Sequence, residues 1–163
     1  MNATLARNAI AATVLWRPLT ESDLEAVAAL EREAHAAPWT AGNFRDALAA
    51  GYGMAVGVAG GAVVAYGVLL FAPGEVQLLN LTVAPGARRQ GIGRALLQRF
   101  LDDARARGAE QCFLEVRVTN EAAIALYMQE GFAAVARRAG YYPAAEAGLR
   151  EDALVMRRAL ATA

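Results

Sequence analysis

Glu115 stands in Cys112-Phe-Leu-Glu-Val-Arg-Val118, an otherwise apolar stretch with the alternation of a strand. With period two, Cys112, Leu114, Val116 and Val118 face one side, and Phe113, Glu115 and Arg117 face the other. A carboxylate in such a strand is costly unless it is paired or working. Paired, its neighbour would be Arg117; working, it would be a general base. Twelve residues on, Tyr127 follows Ala123 by four positions and Ile124 by three, which puts it on the packed side of a helix. It is either a core tyrosine or a proton donor. A neutral phenol, of pKa about 10, keeps its proton at neutral pH and can donate it. Together the two residues would suit general acid–base catalysis.

Upstream lies Asn80-Leu-Thr-Val-Ala-Pro-Gly-Ala-Arg-Arg-Gln-Gly-Ile-Gly-Arg94. An apolar strand stops at Ala84-Pro85-Gly86, because proline removes a ladder donor. Arg88, Arg89, Gly91 and Gly93 follow, and an amphipathic helix opens at Ile92. The first turn of a helix has unpaired N–H groups and a partial positive charge. Glycines let a bound group approach that backbone, and arginines add charge, so the loop suits a phosphate or pyrophosphate. It is not a Walker A loop, since Arg94-Ala95 stands where Lys-Ser/Thr is required. Nor is it a dinucleotide fingerprint: Leu96 replaces the third glycine, and Gln111 and Cys112 stand where an acid is needed.

The elements that must carry these groups can be read along the chain. Val14–Arg17 is a short strand ended by Pro18, and Thr20-Glu-Ser-Asp23 has the form of a capping box before a helix to about Ala34. Thr40 caps a second helix, 42 to 49. Residues 53 to 71 read as a hairpin about Gly60-Gly61, and Glu75–Val83 adds a third antiparallel strand. A helix from Ile92 to a stop at Gly108, a strand at 112–118, a helix over Glu121–Gln129, strand-like Phe132–Arg138 and a final strand at Ala153–Met156 complete the order. Tyr141-Tyr142-Pro143 opens a polar loop.

The chain has 163 residues, 56% of them hydrophobic and 20% charged, which suits one globular domain over 13–163. Residues 1–12 read as a flexible N-terminal extension. Sixteen basic and sixteen acidic side chains cancel, so there is no general field for nucleic acid or an anionic membrane, and any anion site is local. No apolar run has the length of a membrane span. A single cysteine excludes an intrachain disulfide and fits a reducing cytoplasm. No His/Cys/Asp cluster has metal-ligand spacing, so no metal is expected.

The motif Arg88-x-x-Gly91-x-Gly93 after a Val-Ala-Pro strand end resembles the pyrophosphate loop of the GCN5-related N-acetyltransferases. The run Leu114-Glu-Val-Arg-x-x-Asn120-x-x-Ala-Ile-x-Leu-Tyr127-x-x-x-Gly-Phe132 is similar to the bacterial ribosomal-protein-alanine N-acetyltransferases (RimI type). So are Arg-Glu-Ala-His-Ala-x-Pro-Trp-Thr near the front, Asn80-Leu-Thr-Val, and Tyr-Tyr-Pro with Glu-Asp-Ala near the end. This resemblance covers nearly the whole chain after about residue 13.

The resemblance implies an α/β (α+β) fold: a central mixed, mostly antiparallel sheet of about seven strands flanked by four helices. It implies acetyl-CoA as co-substrate and, as acceptor, the N-terminal alanine of a small-subunit ribosomal protein. A cytoplasmic monomer is expected. Glu115 would be the proton acceptor and Tyr127 the proton donor. Leu81, Thr82 and Val83 would hold the acetyl-pantetheine arm by their backbone. Arg88, Arg89, Gln90, Gly91, Ile92, Gly93 and Arg94 would hold the pyrophosphate, and Asn120 would touch the arm. Trp39, Tyr141 and Tyr142 resemble the walls of a peptide groove. Ala37 and a longer loop between Pro143 and Glu151 depart from the pattern where the acceptor should enter. Another protein N-terminus, a lysine or a small amine therefore stays open as acceptor, as does a non-catalytic acyl-CoA-binding module. His35, the one histidine, is read as structural, and Cys112 as a buried strand residue rather than an acyl carrier.

Overall fold

A computed structural model describes residues 13–144 and 148–161. The extension expected over 1–12 and part of the loop after Pro143 lie outside the described residues. The strands are β1 (Leu15–Pro18), β2 (Gly53–Ala59), β3 (Ala62–Ala72), β4 (Glu75–Val83), β5 (Gln111–Arg117), β6 (Ala133–Tyr142) and β7 (Glu151–Ala159). The helices are α1 (Leu24–Ala34), α2 (Ala41–Ala49), α3 (Ile92–Ala106) and α4 (Glu121–Gln129). The strands form a seven-stranded sheet in the order β1-β2-β3-β4-β5-β7-β6, the mixed α/β architecture expected. β4 and β5 pair in parallel, Glu75–Leu78 with Gln111–Leu114, while β1–β2, β2–β3, β5–β7 and β6–β7 are antiparallel.

The chain packs as two compact units, and the division passes within β3, β4 and α3. The first takes the chain up to Leu69 with Asn80–Arg99. Its core holds Val27, Phe44, Val56, Tyr66, Val68 and the α3 residues Ile92, Leu96 and Leu97, all buried. Gly60 and Gly61, with φ of 58° and 78°, make the left-handed turn that the β2–β3 hairpin requires. Gly57 has no room for a side chain, since a Cβ would lie 2.7 Å from the Trp16 ring.

The start of α1 behaves as its capping box predicts. A single 3₁₀ turn, Glu21–Asp23, precedes the helix, and Thr20 N–H donates to Asp23 Oδ2 at 2.8 Å. Arg17 Nη1 and Nη2 each donate to the same carboxylate at 2.7 Å. The Arg17 guanidinium holds the Asp23 carboxyl down to about 2, against burial that pushes it up. A lowered folded pKa means stability present above the unfolded value and lost as pH falls through the folded one. The group should contribute about 2 kcal/mol above pH ~4, vanishing toward pH ~2. Urea unfolding of the wild type and Asp23→Asn across this range should show a stability gap that closes with acidification. A gap that does not change with pH would remove the ion pair as its source.

The second unit takes Leu70–Leu79 with Phe100–Ala163. Its core includes Val76, Leu78, Leu101, Ala104, Leu114 and Met156. β5 alternates as expected, with Cys112, Leu114 and Val116 buried and Phe113, Glu115 and Arg117 half-buried. β5 runs beside β7 from Gln111↔Ala159 to Arg117↔Ala153. β6 and β7 are longer than the sequence suggested, and Tyr141 and Tyr142 are the last residues of β6 rather than part of a loop. β6 ends the sheet and most of its residues are exposed, so it has no buried face to impose an alternating pattern.

Candidate active site

In the first unit the loop has the expected form. β4 stops at Val83, and Ala84 N–H donates to Val64 O at 2.8 Å, tying the strand end to β3. Pro85–Ala87 make a single 3₁₀ turn. Arg89 has φ 61°, and it stands alone as a left-handed non-glycine residue among those described; Gly91 follows at φ 78°. Hydrogen bonding of α3 begins at Gly91, whose carbonyl accepts from Ala95 N–H at 3.0 Å. The N–H groups of the first turn therefore have no intrahelical acceptor. No heavy atom lies within 4 Å of where a Gly91 Cβ would be, so this face of the loop is open. Gln90 Oε1 is buried and has no hydrogen-bond partner among the described residues. That oxygen is an acceptor, so water rather than an anion would satisfy it. Ile92 is buried and anchors the helix start, and Arg89 is exposed beside it. Arg88 is turned back, with Nε donating to Val83 O at 3.2 Å. The loop fits an anion.

The strand that leads into this loop meets a buried polar group from α1 that the sequence reading missed. Glu31, on the apolar stripe of α1, is 2% exposed. Its Oε1 accepts from Trp39 N–H at 3.0 Å, and its Oε2 accepts from Asn80 Nδ2 at 3.1 Å and from the Tyr66 hydroxyl. Thr82 Oγ1 donates to Asn80 Oδ1 at 2.7 Å and meets His35 Nε2 at 2.8 Å. Trp39 and Tyr66 also flank Phe44, with ring centroids 5.2 and 5.6 Å away. A signal was present: Glu31 lies four residues after Val27 and three after Ala28, on the stripe itself.

In the second unit the structure brings Glu115, Tyr127, Tyr141 and Tyr142 together. Glu115 Oε1 lies 3.2 Å from Arg138 Nε, with the carboxylate side chain 12% exposed. The partner is thus Arg138 from β6, not Arg117, which pairs with Glu151 at 3.0 Å. Arg117 is drawn away by its stacking on Tyr142, 4.4 Å from the ring centroid. The Tyr141 hydroxyl donates to Glu115, and this bond raises the pKa of the tyrosine. Tyr141 and Tyr142 meet edge to face at 5.0 Å. Tyr142 is pushed up to about 12, first by burial and then by the charge of Glu115. Tyr127 is buried against Phe132, ring centroids 5.8 Å apart, and burial, then Tyr142, raises its pKa further still. Asn120 caps α4, its Oδ1 accepting from Ala123 N–H at 3.2 Å. Cys112 is buried, and that burial pushes its thiol up to about 12, so it stays protonated. No three His, Cys, Asp or Glu side chains among the described residues could hold a metal ion. No helix among them is long and apolar enough to cross a membrane.

Residues 16–132 match the model of the acetyltransferase (GNAT) family. The chain belongs to the GNAT acetyltransferases. As a GNAT enzyme it is an N-acetyltransferase, and the glycine loop, β5 and α4 all lie within the matched residues. The chain is 38% identical over 138 residues to the [ribosomal protein bS18]-alanine N-acetyltransferase of Escherichia coli K12, covering 85% of this chain and 92% of that protein. It is 37% identical over 147 residues to the N-alpha-acetyltransferase RimI of Mycobacterium tuberculosis, covering 86% and 89%. The crystal structure of the E. coli ribosomal-protein-S18-alanine N-acetyltransferase superposes with a TM-score of 0.85 at 35% identity, over 92% of this chain and 96% of that one.

Proposed function

We propose that this GNAT enzyme transfers the acetyl group of acetyl-CoA to the N-terminal alanine of a small-subunit ribosomal protein, by direct attack of the free α-amine. The observation that carries this reading is the 38% identity, over 85% of the chain, to an enzyme named for that acceptor. The reaction takes place in the cytoplasm, with the chain acting as a monomer of one catalytic domain.

Acetyl-CoA supplies a thioester, whose carbonyl carbon is electrophilic and whose thiolate can leave. Glu115 takes the proton of the α-ammonium, directly or through water. A backbone N–H in the stretch Leu81, Thr82, Val83 donates to the carbonyl oxygen as it gains charge. As the C–S bond breaks, Tyr127 would give its proton to the departing sulfur and regain one from the nitrogen of the new C–N bond, and burial keeps it a neutral phenol between turnovers. Arg88, Arg89, Arg94, Gln90 and the backbone of Gly91, Ile92 and Gly93 hold the pyrophosphate. Asn120, with Oδ1 engaged in its cap, reaches the pantetheine arm through its amide nitrogen. Trp39, Tyr141 and Tyr142 line the path of the acceptor peptide.

Gly91 tests the cofactor half alone. Gly91→Val forces a β-branched residue to φ 78° and fills the open face of the loop. Acetyl-CoA affinity should fall by about tenfold or more, at a stability cost of about 1–3 kcal/mol. Isothermal titration that finds unchanged affinity would take Gly91 out of the cofactor site.

The function is tested with two hexapeptides, acetyl-CoA and mass spectrometry. One carries the N-terminal sequence of the host's alanine-starting small-subunit ribosomal protein. The other has its α-amine blocked and an internal lysine free. Acetylation of the first alone supports the proposal. Acetylation of the second, or of neither, overturns it and leaves a small-molecule amine to be sought.

A further inference from the structure

The side chains of Glu31, His35, Tyr66 and Asn80 belong to none of the steps above. All donors of their network point one way. Asn80 Oδ1 takes the Thr82 hydroxyl proton, so Thr82 Oγ1 must accept from His35 Nε2–H. Having accepted on oxygen, Asn80 donates through Nδ2 to Glu31. The Tyr66 hydroxyl and Trp39 N–H converge on the same carboxylate. A carboxylate that is 2% exposed is tolerated only because three donors meet it.

What the network joins gives it a use. Trp39 stands at the far end of the loop that follows α1, a wall of the acceptor path in the reading above. Asn80 and Thr82 stand on the stretch of β4 whose backbone, in the same reading, holds the acetyl arm. Two hydrogen bonds to Glu31, donated by Trp39 N–H and by Asn80 Nδ2, join one to the other. His35, whose side chain is 43% exposed, is the end of the network open to solvent. We propose that Glu31 and His35 are positioning residues for the acceptor, fixing the 35–39 loop against the strand that presents the acetyl group. The inference rests on the proposed function.

The experiment compares the full-length wild type with Glu31→Gln, His35→Ala and His35→Gln. Glutamine at 31 keeps the volume but turns one acceptor into a donor facing other donors. Glutamine at 35 can restore the N–H to Thr82, which alanine cannot. Peptide KM and kcat, acetyl-CoA Kd by titration, and thermal midpoint are measured for each. The expected result for Glu31→Gln and His35→Ala is a loss of about 10- to 100-fold in kcat/KM for the alanine-first peptide. Acetyl-CoA Kd should stay within about twofold, and His35→Gln should recover most of the loss. If Glu31→Gln does not fold, the His35 pair decides alone, because its site is half-exposed. Folded variants with wild-type peptide kinetics overturn the inference and leave the function standing. Acetyl-CoA Kd and thermal midpoint worsening together with peptide kinetics, without recovery in His35→Gln, reduce the network to general support and also overturn it. A wild type inactive on the peptide overturns the function, and the inference falls with it.

Discussion

Tyr127→Phe should lower acetyl-transfer turnover by about 10²–10⁴-fold, the span that general acid catalysis supplies. Acetyl-CoA affinity should stay within about twofold, because the substitution removes one hydroxyl and no charge. The ring itself is retained, and with it the contact to Phe132 at 5.8 Å, so the fold survives. The reasoning turns on burial. A phenol whose pKa is raised stays protonated below that value and loses its proton only above it. Tyr127 therefore holds its proton throughout the neutral range, and an alkaline fall in rate below pH ~10 must come from another group. Following thiol release by absorbance gives kcat directly. Wild-type turnover in Tyr127→Phe would return the residue to the core and leave the acid unassigned.

Glu115→Gln should cost about 10²–10⁴-fold in kcat/KM at neutral pH, since the amide matches the carboxylate in shape and cannot take a proton. The surrounding charges make this a clean substitution. Arg117 remains bound to Glu151 at 3.0 Å and Arg137 to Asp152 at 2.6 Å, so the ion pairs that tie β5 and β6 to β7 stay in place. Arg138 alone loses its partner, and with 56% of its side chain exposed it can turn to water. The measurement is steady-state kinetics with the alanine-first peptide, alongside a thermal scan. Activity retained in Glu115→Gln would mean that the carboxylate serves the Arg138 pair and not the reaction.

The two chemical candidates were legible for different reasons. Glu115 stood out because an acid interrupts a period-two apolar run, and period is the signal that local sequence carries best. Tyr127 was legible only as a packed residue; its nearness to Tyr142 arises from β6, which closes on β7 far along the chain. The partner of Glu115 was not legible at all. Arg117 was the neighbour in sequence, but Arg138 reaches Glu115 through the β5–β7–β6 order, and no local spacing encodes that pairing. The helices, by contrast, were found nearly to the residue, as with Glu121–Gln129, because a cap at Asn120 and a glycine at 131 mark both ends. The Glu31 network was half-legible: its position on the stripe was visible, but two of the three donors that offset its buried charge come from β3 and β4.

The loop after α1 is closed at both ends by one residue. Glu31 O accepts from His35 N–H at 3.0 Å, and Glu31 Oε1 accepts from Trp39 N–H at 3.0 Å. Between these anchors stand Ala36, Ala37 and Pro38, all exposed, and none of them supplies a bond to the anchors. The segment is a cassette: its contents can be rewritten while its frame holds. On the proposed function, which sets this loop beside the acceptor, Ala36 and Ala37 are the positions at which acceptor preference could be altered without breaking either anchor. The frame is made by Glu31 and the backbone of His35 and Trp39, while the exposed residues between them are free of its bonds.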